Sequence, residues 1–311
     1  MRIGNYTTVA LGTFLSLVAI APTLADTALK IGYTASTDSV ALYVGQKEAF
    51  FKKHGLDVQL QLIPLNSTLP AAVQSDSVQI AGPSTPIVLQ AIDGGLDLVA
   101  AAGGASTSKK ATNYAVVVKP EAGISKPQDF AGKRVGVPGL GATLHILFRE
   151  WLDRNGVDYK QVKFVETPFP QMNDILKAGT VDVVISADPM TTRIVQAKTG
   201  TVFSYFIQEF PEGMPTSIYV TTRKWAEANP AAVKAFREAI AESAAFAISN
   251  PEAAKLAVGE YLKYPSEILA NVYLPPVVAE VTPERLDTWI QIMLRQELLS
   301  RKPDPTAFIA H

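Results

Sequence analysis

The alternation of apolar and polar positions divides the chain into short strands and amphipathic helices, and the same series occurs twice. Leu29-Lys-Ile-Gly-Tyr33 and Lys133-Arg-Val-Gly-Val137 are apolar segments of strand length. Each leads through a small-residue loop into a helical stretch, 41–54 in the first copy and 142–155 in the second. Both stretches stop at a glycine, Gly55 and Gly156, the residue suited to the left-handed position that closes a helix. Extended segments follow at 58–63 and 162–165, then helices at 69–74 and 172–178, then strands at 78–81 and 181–185. Each of these strands runs into a proline corner, at Pro86 and Pro189. The landmark pairs 31/135, 55/156, 78/181 and 86/189 are 104, 101, 103 and 103 residues apart.

Strand–helix–strand–helix–strand with short loops predicts a right-handed parallel α/β unit, and two copies predict two similar lobes. A further strand is expected in each, at 96–102 and 202–207. The β-branched segments 114–118 and 216–222 lie just outside the second copy and read as two strands crossing between the lobes. On this reading the first lobe takes 26–118 and the inserted second lobe 119–215. Residues 216–311 then supply a return strand and C-terminal helices that complete the first lobe. Asn229-Pro230, Asn250-Pro251 and Thr282-Pro283 mark helix starts, a capping residue followed by proline at the first helical position.

The first 25 residues break the pattern. Arg2 is the only charged side chain before Asp26, and an apolar run from Val9 to Ala21 ends in Pro22-Thr23-Leu24-Ala25. This predicts a signal peptide cleaved near Ala25. The run is shorter than the roughly 20 apolar residues that a membrane span needs. The rest, with 48% hydrophobic and 18% charged residues in the whole chain, has the composition of a globular protein. A net charge of −1 gives no basic patch for nucleic acid. The absence of cysteine excludes disulfides, thiolate metal sites and thiol catalysis.

In open α/β sheets, ligands bind beyond the carboxyl ends of the strands, where helices begin. Applied to both copies, that rule selects the loops 34–39 and 84–85 in the first lobe, and 138–143 and 187–188 in the second. The candidate ligand-binding residues are Ser36, Thr37, Asp38, Ser39, Ser84, Thr85, Gly141, Ala142, Thr143 and Asp188, with Ser106 and Met172 added from later loop positions. Two lobes joined by two crossing strands can close over a solute as a hinge.

Catalytic patterns are weaker. Ser106-Thr-Ser-Lys109 and Lys198-Thr-Gly200 match short hydrolase motifs, but no helical stripe carries the serine. Gly139-Leu-Gly141 lacks the third glycine of a dinucleotide fingerprint. His54, His145 and His311 have no metal-ligand spacing. The expectation is a binding protein without cofactor or metal rather than an enzyme.

Ile31-Gly-Tyr33, Leu42-Tyr-Val-Gly45 and the run from Ala49 to Val58 resemble the opening of the nitrate/sulfonate/taurine-type (thiamine-pyrimidine-like) substrate-binding proteins of ABC importers. So do the stretches 129–137 and 175–182. The resemblance implies a monomeric periplasmic binding protein of type II topology. It would capture a small organic solute, a sulfonate or carboxylate, aromatic ones included. Its partners would be an ABC permease in the inner membrane and that permease's cytoplasmic ATPase. Asp188 matches a family acidic or aromatic position. No arginine in the predicted loops offers bidentate pairing to a sulfonate, so a neutral or cationic ligand stays open. Two other readings share the architecture: an exported sensory module, similar to the effector domain of LysR-type regulators, and a thiamine-pyrimidine synthase. The synthase is disfavoured by the absence of cysteine.

Overall fold

A computed structural model describes residues 27–309, with Met1 and Gly4. The leader assigned to 1–25 otherwise lies outside the described residues. Among the described residues ten strands are formed: β1 Thr27–Tyr33, β2 Leu56–Leu62, β3 Ile80–Ala81, β4 Leu98–Gly103, β5 Tyr114–Val118, β6 Arg134–Val137, β7 Lys163–Glu166, β8 Val183–Ala187, β9 Thr201–Ser204 and β10 Ile218–Thr222. They make two five-stranded sheets, in the orders β2-β1-β3-β10-β4 and β7-β6-β8-β5-β9.

The two orders are the same pattern. In each sheet four strands run in one direction, and the fourth position is filled by a strand antiparallel to them, β10 in the first sheet and β5 in the second. That antiparallel strand is the one the chain forms immediately after changing lobes. The sequence reading therefore needs one correction. Tyr114–Val118 does not close the first lobe at 118; it pairs with β8 and β9 inside the second sheet. The chain crosses earlier, between β4 and β5, and returns just before β10. The two crossings lie side by side. Thr107 N–H donates to Met214 O at 2.8 Å and Thr216 N–H to Ala105 O at 2.8 Å.

Among the described residues twelve α-helices cover the sheets: α1 Val40–Lys47, α2 Phe50–Lys53, α3 Leu69–Gln74, α4 Thr85–Asp93, α5 Thr143–Arg154, α6 Met172–Ala178, α7 Met190–Gln196, α8 Arg223–Ala228, α9 Pro230–Ser249, α10 Pro251–Leu262, α11 Ser266–Leu269 and α12 Pro283–Arg295. The single helix expected over 41–54 is broken, because Ala49 adopts a left-handed conformation (φ 57°). The break sets Phe50 against Phe246 and Phe51 against Phe236, so both aromatic rings reach α9. Non-glycine residues enter that region at a cost, which here accompanies burial of Phe51.

The proline-marked helices begin where the sequence places them, at Pro230, Pro251 and Pro283. Helices α9 and α10 pack on α1 in the core of the first lobe. Helix α12 does not belong to that lobe alone. Arg295 pairs with Glu150 on α5 at 2.8 Å, and Trp289 Nε1–H donates to Pro215 O at 2.6 Å. Among the described residues, no helix is long and apolar enough to cross a membrane.

Candidate functional site

The carboxyl ends of the parallel strands in the two sheets face each other, and the loops beyond them enclose a cavity of about 30 Å³. Sites for small organic ligands are on the order of 300 Å³ or more, so an organic solute enters only if the lobes part. Ser36, Asp38, Ser84, Ala142 and Thr143 line this cavity, together with Asn66, Tyr114, Phe169 and Ser217.

Asp38 occupies a 3-10 turn, Thr37–Ser39, between β1 and α1. Its Oδ2 accepts from Tyr114 Oη of the second sheet and from Thr216 Oγ1 at 3.1 Å on the return crossing. Its Oδ1 is shielded from solvent and has no partner. Burial pushes the Asp38 carboxyl up to about 6, opposed only by these two hydrogen bonds; no basic group contributes. Ser84 Oγ and Thr37 Oγ1 are likewise buried without a partner.

The other candidates are placed differently. Thr37 N–H donates across the cleft to Asp188 O at 3.1 Å. Ser39 Oγ turns back to Thr34 O at 3.4 Å. Thr85 Oγ1 donates to Pro215 O at 2.8 Å, holding α4 to the return crossing. Gly141 O accepts from Gln90 Nε2 at 2.9 Å, a contact between lobes. Ser106 Oγ donates to Pro276 O at 3.2 Å, and Lys109 Nζ donates to Gln208 O at 3.0 Å, so the two do not form a catalytic pair. Met172 is fully buried in the second lobe's core and does not line this cavity. Asp188 is also turned away from the cavity. Its Oδ1 accepts from Thr192 N–H and Oγ1, and its Oδ2 from Tyr273 N–H at 3.3 Å. Burial pushes its carboxyl up to about 6.

Thr34, Gly82, Pro138 and Leu144 also line the cavity, beside or within the loops that the sequence selects. Asn66, Tyr114, Phe169 and Ser217 lie outside those loops, and two of them had a signal. Asn66 follows β2 and Phe169 follows β7, so the strand-end rule applied to those strands finds both. They stand 103 residues apart, matching the offset of the repeat. Tyr114 and Ser217 lie at the amino ends of β5 and β10. Those strands run antiparallel, so their amino ends share the edge where the parallel strands end. Nothing in the local sequence gives that direction.

His145, one turn into α5, accepts from Gly141 N–H through Nδ1 at 2.9 Å. Burial, and then the neighbouring Arg149 charge, hold its imidazole down to about 3, so it is neutral at pH 7. Among the described residues, no group of His, Asp and Glu could hold a metal ion.

These shifts have opposite pH signatures. For Asp38 the folded value lies above the unfolded one, so stability falls as pH rises towards and past 6. For His145 the folded value lies below the unfolded one, so stability falls as pH drops through about 6.5. Between pH 7 and pH 5, Asp38→Asn should lose about 1 kcal/mol of relative stabilisation at the acid end, and His145→Gln should gain about 1–2 kcal/mol there. Urea unfolding at both pH values measures this; unchanged pH slopes in both variants contradict the assigned shifts.

Two lobes of one pattern, hinged by paired crossings and closing on a polar cleft, define the two-lobed α/β binding-protein fold. The structure superposes on the alkanesulfonate-binding protein SsuA from Xanthomonas axonopodis pv. citri bound to MOPS. The TM-score is 0.78 at 14% identity, covering 93% of this chain and 99% of that one. Residues 36–254 match the NMT1/THI5 like family, and the chain belongs to it. The taurine-binding periplasmic protein of Escherichia coli (strain K12) is 28% identical over 224 residues, 70% of this chain and 64% of that protein. The nitrate/nitrite binding protein NrtA of Nostoc sp. (strain PCC 7120 / SAG 25.82 / UTEX 2576) is 25% identical over 248 residues, 72% of this chain and 55% of that protein. The match thus spans a little over half to just under two thirds of these relatives' lengths.

Proposed function

We propose that this chain is the solute-capturing component of an ABC import system, exported to the periplasm through its leader, binding a small solute between closing lobes and presenting it to a membrane permease. The observation that carries this reading is the cleft. Both lobes line one small cavity, and contacts such as Ser67 Oγ to Glu166 Oε1 at 2.8 Å and Thr37 N–H to Asp188 O join its two sides. The crossings behind it form the hinge. The similarity to a taurine-binding periplasmic protein and to a nitrate/nitrite binding protein supports the same reading. A solute that binds the closed form better than the open one shifts the lobes towards closure.

The test is a thermal-shift screen across sulfonates, carboxylates, amines and pyrimidines, followed by calorimetry on Ser84→Ala from the first lobe and Phe169→Ala from the second. Both variants should weaken binding of the same solute, Ser84→Ala by about 1–3 kcal/mol if a ligand group loses its partner. Loss confined to one variant would place the solute on a single lobe and contradict capture between them.

A further inference from the structure

The charge and the unfilled hydrogen bonds of the cleft say what kind of solute it takes. The lining supplies a carboxyl, hydroxyls, one amide and apolar walls from Pro138, Leu144 and Phe169. It contains no lysine, arginine or histidine. The nearest imidazole, His145, is neutral and has Nδ1 engaged by Gly141. The titratable groups facing Asp38 are Tyr114 on β5, Tyr43 on α1 and Tyr219 on β10, and burial raises all three phenols, so they stay uncharged.

A buried carboxylate without a cation is costly. Oδ2 has two donors, whereas Oδ1 has none, and Ser84 on the same wall is 6% exposed, its Oγ also lacking a partner. A sulfonate or carboxylate entering here would meet a like charge in a buried site. A cationic N–H donor would supply the partner that Oδ1 lacks.

We propose that the solute is a small organic cation, an ammonium or amidinium on an apolar body, whose N–H groups donate to Asp38 Oδ1 and Ser84 Oγ while Phe169 and Leu144 cover its apolar part. This rests on the capture reading above and narrows it. It also differs from what the names of the sulfonate-, taurine- and nitrate-binding relatives suggest, because the residues of this cleft offer those anions no countercharge.

The test uses matched pairs of one body and opposite charge: benzylammonium and benzamidinium against benzylsulfonate and benzoate, measured by calorimetry on the native protein. The cations should bind and the anions should not. Affinity for the cations should rise as pH goes from 5 to 7.5, because Asp38 ionises over that range. An anion held by a neutral Asp38 carboxyl would show the reverse trend. Asp38→Asn should lose tenfold or more in cation affinity, and Ser84→Ala, which leaves the Asp38 hydrogen bonds intact, threefold or more. Binding of the anions alone, or cation binding that neither variant weakens, overturns the cation assignment while leaving solute capture standing. Scattering on the same samples separates the two claims: an anion that compacts the protein defeats only the charge assignment. Failure of every probe of both charges to compact it counts against capture itself.

Discussion

Replacing Trp289 with alanine is expected to cost about 3–5 kcal/mol of folding free energy, the range for truncating a large buried aromatic side chain. Trp289 is fully buried on α12, with Leu286, Ile290 and Met293 on the same buried face. Its indole N–H reaches Pro215 O, and that carbonyl also accepts from Thr85 Oγ1. The side chain therefore both fills the core beneath α4 and pins the return crossing. Trp289→Phe separates these roles: it keeps most of the packing, leaves Thr85 Oγ1 donating to Pro215 O, and should cost about 1–2 kcal/mol through one lost hydrogen bond and the lost volume. Urea unfolding measures both. A loss under 1 kcal/mol for the alanine variant would show that α12 is not part of the cooperative core.

The second large effect is expected at the opposite crossing. Gly103 ends β4, and a Cβ placed there would stand 2.0 Å from Val278 O and 3.1 Å from Glu280 O. Both neighbours are backbone, so no side chain can rotate away. The segment at 276–279 is held along this crossing, with Gly103 N–H donating to Ala279 O at 2.7 Å, Val278 N–H to Gly104 O at 3.0 Å and Ser106 N–H to Pro276 O at 2.9 Å. Gly103→Ala must displace that segment and break at least one of these bonds. A destabilisation of about 3 kcal/mol, the upper part of the range for overpacking, is expected. Thermal melts alongside Gly123→Ala, where a Cβ meets nothing within 4 Å but φ is +65°, distinguish collision from backbone conformation. Equal small losses in the two variants would contradict the collision.

The repeat was legible because each lobe's parallel unit is written in local pattern. Alternation, glycine helix stops and proline corners all act within a few residues of where they are read. The starts of α9, α10 and α12 were legible for the same reason. The lobe membership of Tyr114–Val118 was not, because a β-branched strand has the same sequence whichever sheet it joins. Its partners are Val183–Ala187 and Thr201–Ser204, far along the chain. The break at Ala49 was hidden because alanine carries no signal for a left-handed conformation. At the site, the strand-end rule brought Ser36, Asp38, Ser84, Ala142 and Thr143 into view. It also selected Asp188, whose sequence position matches Thr85 but whose carboxylate is taken by Thr192 and Tyr273. The rule locates backbone, and side-chain direction depends on partners from distant segments.

Closure on a solute is the central claim, and the cysteine-free chain allows it to be observed directly. Gln61 on β2 and Lys163 on β7 are exposed on corresponding edge strands of the two sheets. Gln61→Cys/Lys163→Cys, labelled with a donor and acceptor dye, reports the separation of the lobes in single molecules. The expected result is exchange between a longer and a shorter separation, with added solute moving the population to the shorter one. A single separation that no solute in the amine, carboxylate, sulfonate and pyrimidine series changes would contradict the account.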